Sequence, residues 1–256
     1  MKRILTALVL IPIFGYAILW APQWLFLLLL ILVAGLCFHE FANLVALHNI
    51  PRPGIFGYAA GLALLLVPRD RLVALVLIAL LALALSLALR DLTECLPYAA
   101  CLLIGIVYIF GSWRFAEDLR AMSPYWLFFA LSLNWVGDIA AFYVGRMIGR
   151  HKLAPRISPA KSWEGALAST LASAGYAALY FPKLLPSVPI AFALEIAVVG
   201  NIAGQFGDLC ESALKRGAGV KDSGTLLPGH GGWLDRVDSS LFSLPVVYYC
   251  AMRMLG

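Results

Sequence analysis

The chain has 256 residues, 62% hydrophobic and 13% charged, with a formal net charge of +5 and a mean hydropathy of +0.89. So few charges cannot cover a soluble domain of this length, which excludes a water-soluble globular protein. Apolar stretches of roughly 17–25 residues, the length that a bilayer-spanning helix needs, recur from end to end. They predict an all-α polytopic integral membrane protein.

In chain order, nine spans are expected at residues 4–21, 23–47, 54–68, 71–89, 95–112, 124–147, 164–181, 187–212 and 239–255. The third is short, and the second and eighth run past the hydrocarbon into the interface. The opening segment, MKRILTALVLIPIFGYAILWA, begins like a signal peptide with Lys2 and Arg3. No small-x-small cleavage site follows it and no exported soluble domain comes after, so it reads as a signal anchor. With the N-terminus in the cytoplasm, thirteen Lys and Arg fall on the cytoplasmic side and six on the other. The positive-inside rule therefore favours N-in. Basic residues gathered on that face suit anionic headgroups or a polyphosphate, and no basic–aromatic interleaving asks for nucleic acid. The five cysteines are scattered and lack a C-x-x-C pair, which argues against a metal or disulfide framework.

Residues 1–120 are apolar spans joined by tight turns and read as a scaffold, as lipid contact or as an oligomer interface. His39 and Glu40 interrupt the second span near its cytoplasmic end, where a polar tip is expected to reach the interface. Gly57 and Gly61 form a small-xxx-small pair suited to close helix packing.

The C-terminal region, 121–256, is different, because its polar residues come in clusters. Asp138 lies within an apolar span, where an ionisable residue is a functional-site hypothesis by default; pairing with a cation to fix packing is the alternative. Asn134, Asp138 and Gly145 share one helical stripe, followed by Arg146 and Arg150. Ser158-Pro159 predicts a helix start, with Ser158 as N-cap, Arg156 before it and Lys161 in its first turn. Such an end can accept phosphate.

Further on, Asn201, Gln205, Asp208, Ser212 and Lys215 are spaced 4, 3, 4 and 3. On an α-helix this is one continuous polar stripe, flanked by Glu211. It must face a protein interior or a water-filled cleft rather than lipid. Lys215, Arg216 and Lys221 lead through a glycine-punctuated loop to LLPGHGGWLDRVDS, Leu226–Ser239.

Carboxylates at Asp138, Asp208, Asp222, Asp235 and Asp238, with cations at Lys161, Lys215, Arg216, Lys221 and Arg236, make an oxygen-rich, phosphate-friendly set. Oxygen ligands with little Cys or His point to Mg²⁺, and Lys and Arg supply phosphate neutralisation. Glycines let backbone N–H groups close on an anion. The whole is a kit for phosphoryl or nucleotidyl transfer at a membrane surface. A P-loop is excluded, since the chain has no Gly-Lys dipeptide. An H-E-x-x-H zinc motif and the D-G-x-x-A-R pattern of enzymes consuming CDP-activated lipids are absent as well.

The run SALKRGAGVKDSGTLLPGHGGWLDRVD, Ser212–Asp238, resembles the signature of the phosphatidate cytidylyltransferases, or CDP-diacylglycerol synthases. The pattern is Ser-x-x-Lys-Arg, Lys-Asp, Pro-x-His-Gly-Gly and Asp-Arg-x-Asp at fixed spacing. GDLCES upstream and SPAKSWEG, Ser158–Gly165, resemble family motifs too. Three positions depart from the pattern. Trp233 stands where a smaller aliphatic residue is usual, Phe142 where Tyr is frequent, and Ala168-Ser169 where Gly-Gly is common. None removes a charged member of the site.

The resemblance implies that CTP and phosphatidic acid give CDP-diacylglycerol and pyrophosphate, with Mg²⁺ held by paired aspartates, here Asp208 and Asp235, and room for K⁺ beside it. It implies Lys215 as a further catalytic residue, Arg216, Lys221 and Arg236 on phosphates, and Ser158 and Lys161 helping from a helix N-terminus. Asp138, Asp222, Asp238 and Glu211 are second-rank candidates. His230 is expected to bond a phosphate and hold the loop, with ligation as the alternative. The expected setting is the bacterial cytoplasmic (inner) membrane with the site facing the cytoplasm; a homodimer stays open. Two other readings are a related CTP-dependent enzyme acting on another lipid phosphate or lipid alcohol, and a transporter using Asp138 and the polar stripe.

Overall fold

The computed structural model describes residues 12–66, 71–227, 229 and 231–255. Helices dominate. The described residues divide into two compact units, one of 22–114 and 214–236, the other of 12–21, 115–213 and 237–255.

The first unit begins with α1, Gln23–Leu47, apolar nearly all round, as a helix in lipid should be. After α2 (Ile55–Leu66) and α3 (Arg71–Ser86), a 3₁₀ turn at Leu92–Glu94 is capped by Asp91, which accepts from the Thr93 N–H at 2.8 Å. The chain continues as α4 (Cys95–Gly105), a π-helical turn (Ile106–Gly111) and α5 (Ser112–Met122), which passes into the second unit at Phe115.

Aromatic rings of α1 fill notches left by glycines. A Cβ on Gly57 would lie 2.6 Å from the Phe38 ring, and one on Gly105 would lie 2.5 Å from Phe41. Gly61 is closed in the same way by Phe110, whose ring centroid stands 5.3 Å from that of Phe38. The expectation that Gly57 and Gly61 serve close packing is met.

In the second unit, α6 (Pro124–Ile148) starts at Ser123, whose hydroxyl accepts from the Tyr125 N–H, with Pro124 in the first turn. A short hairpin of β1 (Lys152–Ala154) and β2 (Ser158–Ser162) precedes α7 (Trp163–Leu184). Then come α8 (Ile190–Gly217) and α9 (Leu234–Leu255). A seam of amides and hydroxyls runs between α6, α7 and α8. Asn201 donates to Ser169 Oγ at 3.0 Å and accepts from Thr170 Oγ1 at 3.1 Å. Gln205 Nε2 donates to Asn201 Oδ1 at 2.7 Å and Thr170 Oγ1 at 3.1 Å. Asn134 donates to Ser243 Oγ of α9 at 2.8 Å. Polar groups that could not face lipid are thereby paired with one another.

Four described helical stretches are long and apolar enough to cross a bilayer by length and composition: Gln23–Leu47, Leu92–Met122, Pro124–Ile148 and Ile190–Gly217. At 28 residues, α8 is roughly 42 Å long, more than a ~30 Å hydrocarbon core, which agrees with its expected extension into the interface. The first expected span is described only from residue 12, with 12–19 helical.

One expectation is corrected. Ser158 does not cap a helix: Ser158–Ser162 is a strand, paired antiparallel with Lys152–Ala154 in the register Lys152↔Ser162 and Ala154↔Ser158. Pro159 is tolerated there because a two-stranded hairpin has only edge strands. The helix starts four residues later, with Ser162 as N-cap accepting from the Gly165 N–H at 3.2 Å.

Candidate active site

In the second unit, α6, the hairpin, α7 and α8 enclose a cleft of about 570 Å³. Asp138, Phe142 and Arg146 line it from α6, Lys152, Lys161 and Ser162 from the hairpin, and Gln205 and Asp208 from α8. Glycines bring the hairpin close: a Cβ on Gly149 would lie 2.5 Å from Ser162 Oγ, and one on Gly145 3.3 Å from it. Lys161 forms an ion pair with Asp208, and Ser212 Oγ donates to the other Asp208 oxygen at 3.3 Å. Gln205, one turn along α8, is tied into the amide seam beneath. A cation and carboxylates therefore sit on a wall held by side-chain hydrogen bonds. Lys161 reaches this place from a strand, not from a helix N-terminus.

In the first unit, a second constellation is built on the loop after α8. Lys215 donates to Asp235 Oδ1 at 2.5 Å, with only 9% and 4% of the two side chains exposed. Asp235 also accepts from the Ser223 N–H at 2.9 Å and the Gly232 N–H at 2.8 Å. Burial pushes the Asp235 carboxyl up, yet the Lys215 hydrogen bond and charge and the two N–H groups outweigh it. The net result lies below the ordinary carboxylate value. The loop closes on itself where Leu227 N–H donates to Gly231 O at 2.9 Å, with Gly229 and Gly231 at φ +80° and +81°.

The other expected residues are distributed as follows. Arg216, Lys221, Asp222 and Arg236 are exposed, and Ser158 is half-buried. Arg216 donates to Val220 O at 2.9 Å. Glu211 is fully buried. Asp238, on α9, accepts from the Ser239 N–H at 2.7 Å. His230 lies outside the described residues.

Glu40 departs from its expected place. It is not an exposed polar tip; it is 1% exposed and accepts hydrogen bonds from Ser223 Oγ at 3.0 Å, Trp233 N–H at 3.0 Å and Leu234 N–H at 2.8 Å. The signal was there: a carboxylate within an apolar helix must be compensated by something.

For a metal, the described residues contain no gathering of three His, Cys, Asp or Glu side chains. Mg²⁺ does not need one, since it is usually held by one or two carboxylates plus substrate phosphates and water. The cleft supplies Asp208 and Asp138 for that style of binding.

The sequence profile described as the cytidylyltransferase family matches residues 1–254. The chain belongs to the cytidylyltransferase family. It is 31% identical to the phosphatidate cytidylyltransferase of Staphylococcus saprophyticus over 258 residues, covering 96% of both chains. To the proteins of the same name from Staphylococcus haemolyticus and Staphylococcus aureus it is also 31% identical, covering 98% and 96% of this chain and 99% and 96% of theirs. As a cytidylyltransferase it is a nucleotidyltransferase enzyme using CTP, and its apolar helices make it a membrane protein. The resemblance read from Ser212–Asp238 is thus extended to the whole chain.

Proposed function

We propose that this cytidylyltransferase converts CTP and phosphatidic acid to CDP-diacylglycerol and pyrophosphate in phospholipid biosynthesis. The observation that carries the reading is the α6–α8 cleft, where Lys161 pairs with Asp208 and Arg146 and Lys152 line the same cavity, in a chain whose relatives bear the name phosphatidate cytidylyltransferase. A phosphate oxygen of the lipid attacks the α-phosphorus of CTP. The bond from that phosphorus to the bridging oxygen breaks, and pyrophosphate leaves with the electron pair. Lys161 and Arg146 neutralise the triphosphate, and Arg216, Lys221 and Arg236 serve phosphates from the loop. Mg²⁺, when bound, would neutralise charge on the transferring and leaving phosphates; Asp208 is its first candidate ligand, with Asp138 lining the same cleft, and K⁺ is a further ion.

In this reading, residues 121–256 supply the reacting groups and residues 1–120 support them. Nine spans with a cytoplasmic N-terminus in the inner membrane turn the site toward cytosolic CTP, supported by the thirteen-to-six distribution of Lys and Arg.

The test is turnover by the purified, detergent-solubilised chain. CDP-diacylglycerol should form from CTP and phosphatidate with Mg²⁺ and stop with EDTA. Asp208→Asn should lower kcat by about 10²-fold or more, in line with losing one electrostatic stabiliser. Full activity of Asp208→Asn overturns the site assignment. A clear preference for a polyprenyl phosphate or a lipid alcohol in competition with phosphatidate overturns the substrate.

A further inference from the structure

The geometry points to Glu40 as a positioning residue that sets the Lys215–Arg236 loop from helix α1. This inference rests on the proposed catalytic role of that loop, but its geometry stands by itself.

Glu40 stands among the buried residues of the apolar helix α1, and it is almost completely buried itself. In such surroundings a carboxylate is costly unless donors surround it. The loop provides them. Oε1 accepts from the Trp233 N–H, and Oε2 accepts from the Leu234 N–H and the Ser223 hydroxyl. Leu234 is the first residue of α9, and the amides at a helix start have no partner within the helix. Glu40 therefore caps, from a distant helix, the end that presents Asp235 and Arg236, and its negative charge suits the positive end of the α9 dipole.

Glu40 and Asp235 grip the same backbone from two sides. Ser223 gives its hydroxyl to Glu40 and its N–H to Asp235. Gly232 gives its N–H to Asp235, while a Cβ on Gly232 would overlap Ser223 Oγ and Glu40. A Cβ on Gly224 would stand 2.6 Å from Glu40 Oε1. Two glycines of the signature thus give clearance to one carboxylate. The loop position of Asp235, and through it of Lys215, depends on Glu40 being present, charged and of the right length.

The test compares Glu40→Gln, Glu40→Asp and Ser223→Ala with the wild-type chain in detergent. Gln keeps the volume but turns an NH₂ toward an N–H donor. Its kcat, measured on monodisperse folded protein, should fall by about 10²-fold, the cost of misplacing a reacting group by about 1 Å. KM for CTP should rise as well, because Arg216, Lys221 and Arg236, which serve phosphates, sit on the same loop. Asp restores the charge and should recover at least about tenfold of the lost kcat, while Ser223→Ala, losing one donor of three, should cost about tenfold. Hydrogen exchange of peptides covering 219–235 should quicken in Glu40→Gln and Ser223→Ala, with peptides of α6 and α7 unchanged. Unchanged loop exchange, or specific activity of Glu40→Gln within about threefold of wild type, overturns the inference. If Glu40→Gln does not fold, Ser223→Ala decides by the same two readouts. If the wild type does not turn over CTP and phosphatidate, the proposed function fails, and the exchange comparison still decides Glu40.

Discussion

Replacing Lys215 with Met tests whether the buried Lys215–Asp235 pair holds the loop together. Met keeps most of the aliphatic stem and removes the ammonium. Breaking a buried ion pair by removing one partner costs roughly 3–5 kcal/mol, because the remaining charge stays buried and uncompensated. Here the low end applies, since Asp235 keeps its bonds to the Ser223 and Gly232 N–H groups. About 3 kcal/mol of local stability is then at stake, and at 1.36 kcal/mol per decade that is about a hundredfold in protection. The readout is hydrogen exchange in peptides containing the Ser223 and Gly232 amides, which report the loop directly without assuming two-state unfolding of the whole chain. Protection should fall by about that factor there while peptides of the Phe129–Phe181 aromatic cluster, whose ring centroids lie 4.6 Å apart, are unaffected. The double variant Lys215→Met/Asp235→Asn should lose less than the sum of the single losses, since no stranded charge remains. Protection within about threefold of wild type in Lys215→Met, or strictly additive losses, would refute the claim that the pair organises the loop.

The same carboxylate sets a pH dependence. Its folded value is depressed, so its contribution is complete above the unfolded value of about 3.9 and is lost as pH falls through the lower folded value. Exchange of residues 219–235, corrected for intrinsic rate, should therefore be flat from pH 8 to about 5 and rise only below about 4; loosening near neutrality would assign the effect to another group. On the other unit, Gly137→Ala places a Cβ 2.5 Å from Ser169 Oγ and 3.1 Å from Ser173 Oγ, with Asn201 closer still. Overpacking of this kind costs about 1–3 kcal/mol. The thermal inactivation midpoint should drop and be partly restored by adding Ser169→Ala; an unchanged midpoint would show that the seam yields freely.

Much of the helical plan was legible because lipid imposes a simple rule: apolar length predicts a helix. The segments 23–47 and 124–147 correspond to Gln23–Leu47 and Pro124–Ile148 almost residue for residue. The 201–215 stripe was equally legible, because polar residues at 3- and 4-residue spacing on an apolar helix need an interior to face, and Asn201, Gln205 and Asp208 have one. The β2 strand was not. Ser-Pro is a good helix start by local preference, yet the Lys152–Ala154 partner that turns it into a hairpin acts across the chain and leaves no periodic mark. Glu40 was missed for a related reason: its partners are a serine hydroxyl and two backbone amides about 190 residues away, and backbone amides look alike in every sequence.

That miss also changes what the signature glycines do. From sequence, glycines are expected to let backbone N–H groups close on an anion. Gly229 and Gly231 do take the positive φ that glycine adopts most readily. Gly232 carries no such φ; it is needed because Glu40 and Ser223 occupy the space of its side chain. Its N–H is committed to Asp235, so the anion it serves is the protein's own. The Ser223, Gly232, Trp233 and Leu234 amides are all given to Asp235 or Glu40, so these four do not serve a phosphate. Phosphate neutralisation then falls to side-chain cations, and the exposed Arg216, Lys221 and Arg236 are the ones the loop offers. Because Lys and Arg charges are screened where backbone amides in a closed loop are not, this division of labour makes the KM for CTP rise with ionic strength. A KM that stays flat between low and moderate salt would return the task to the backbone.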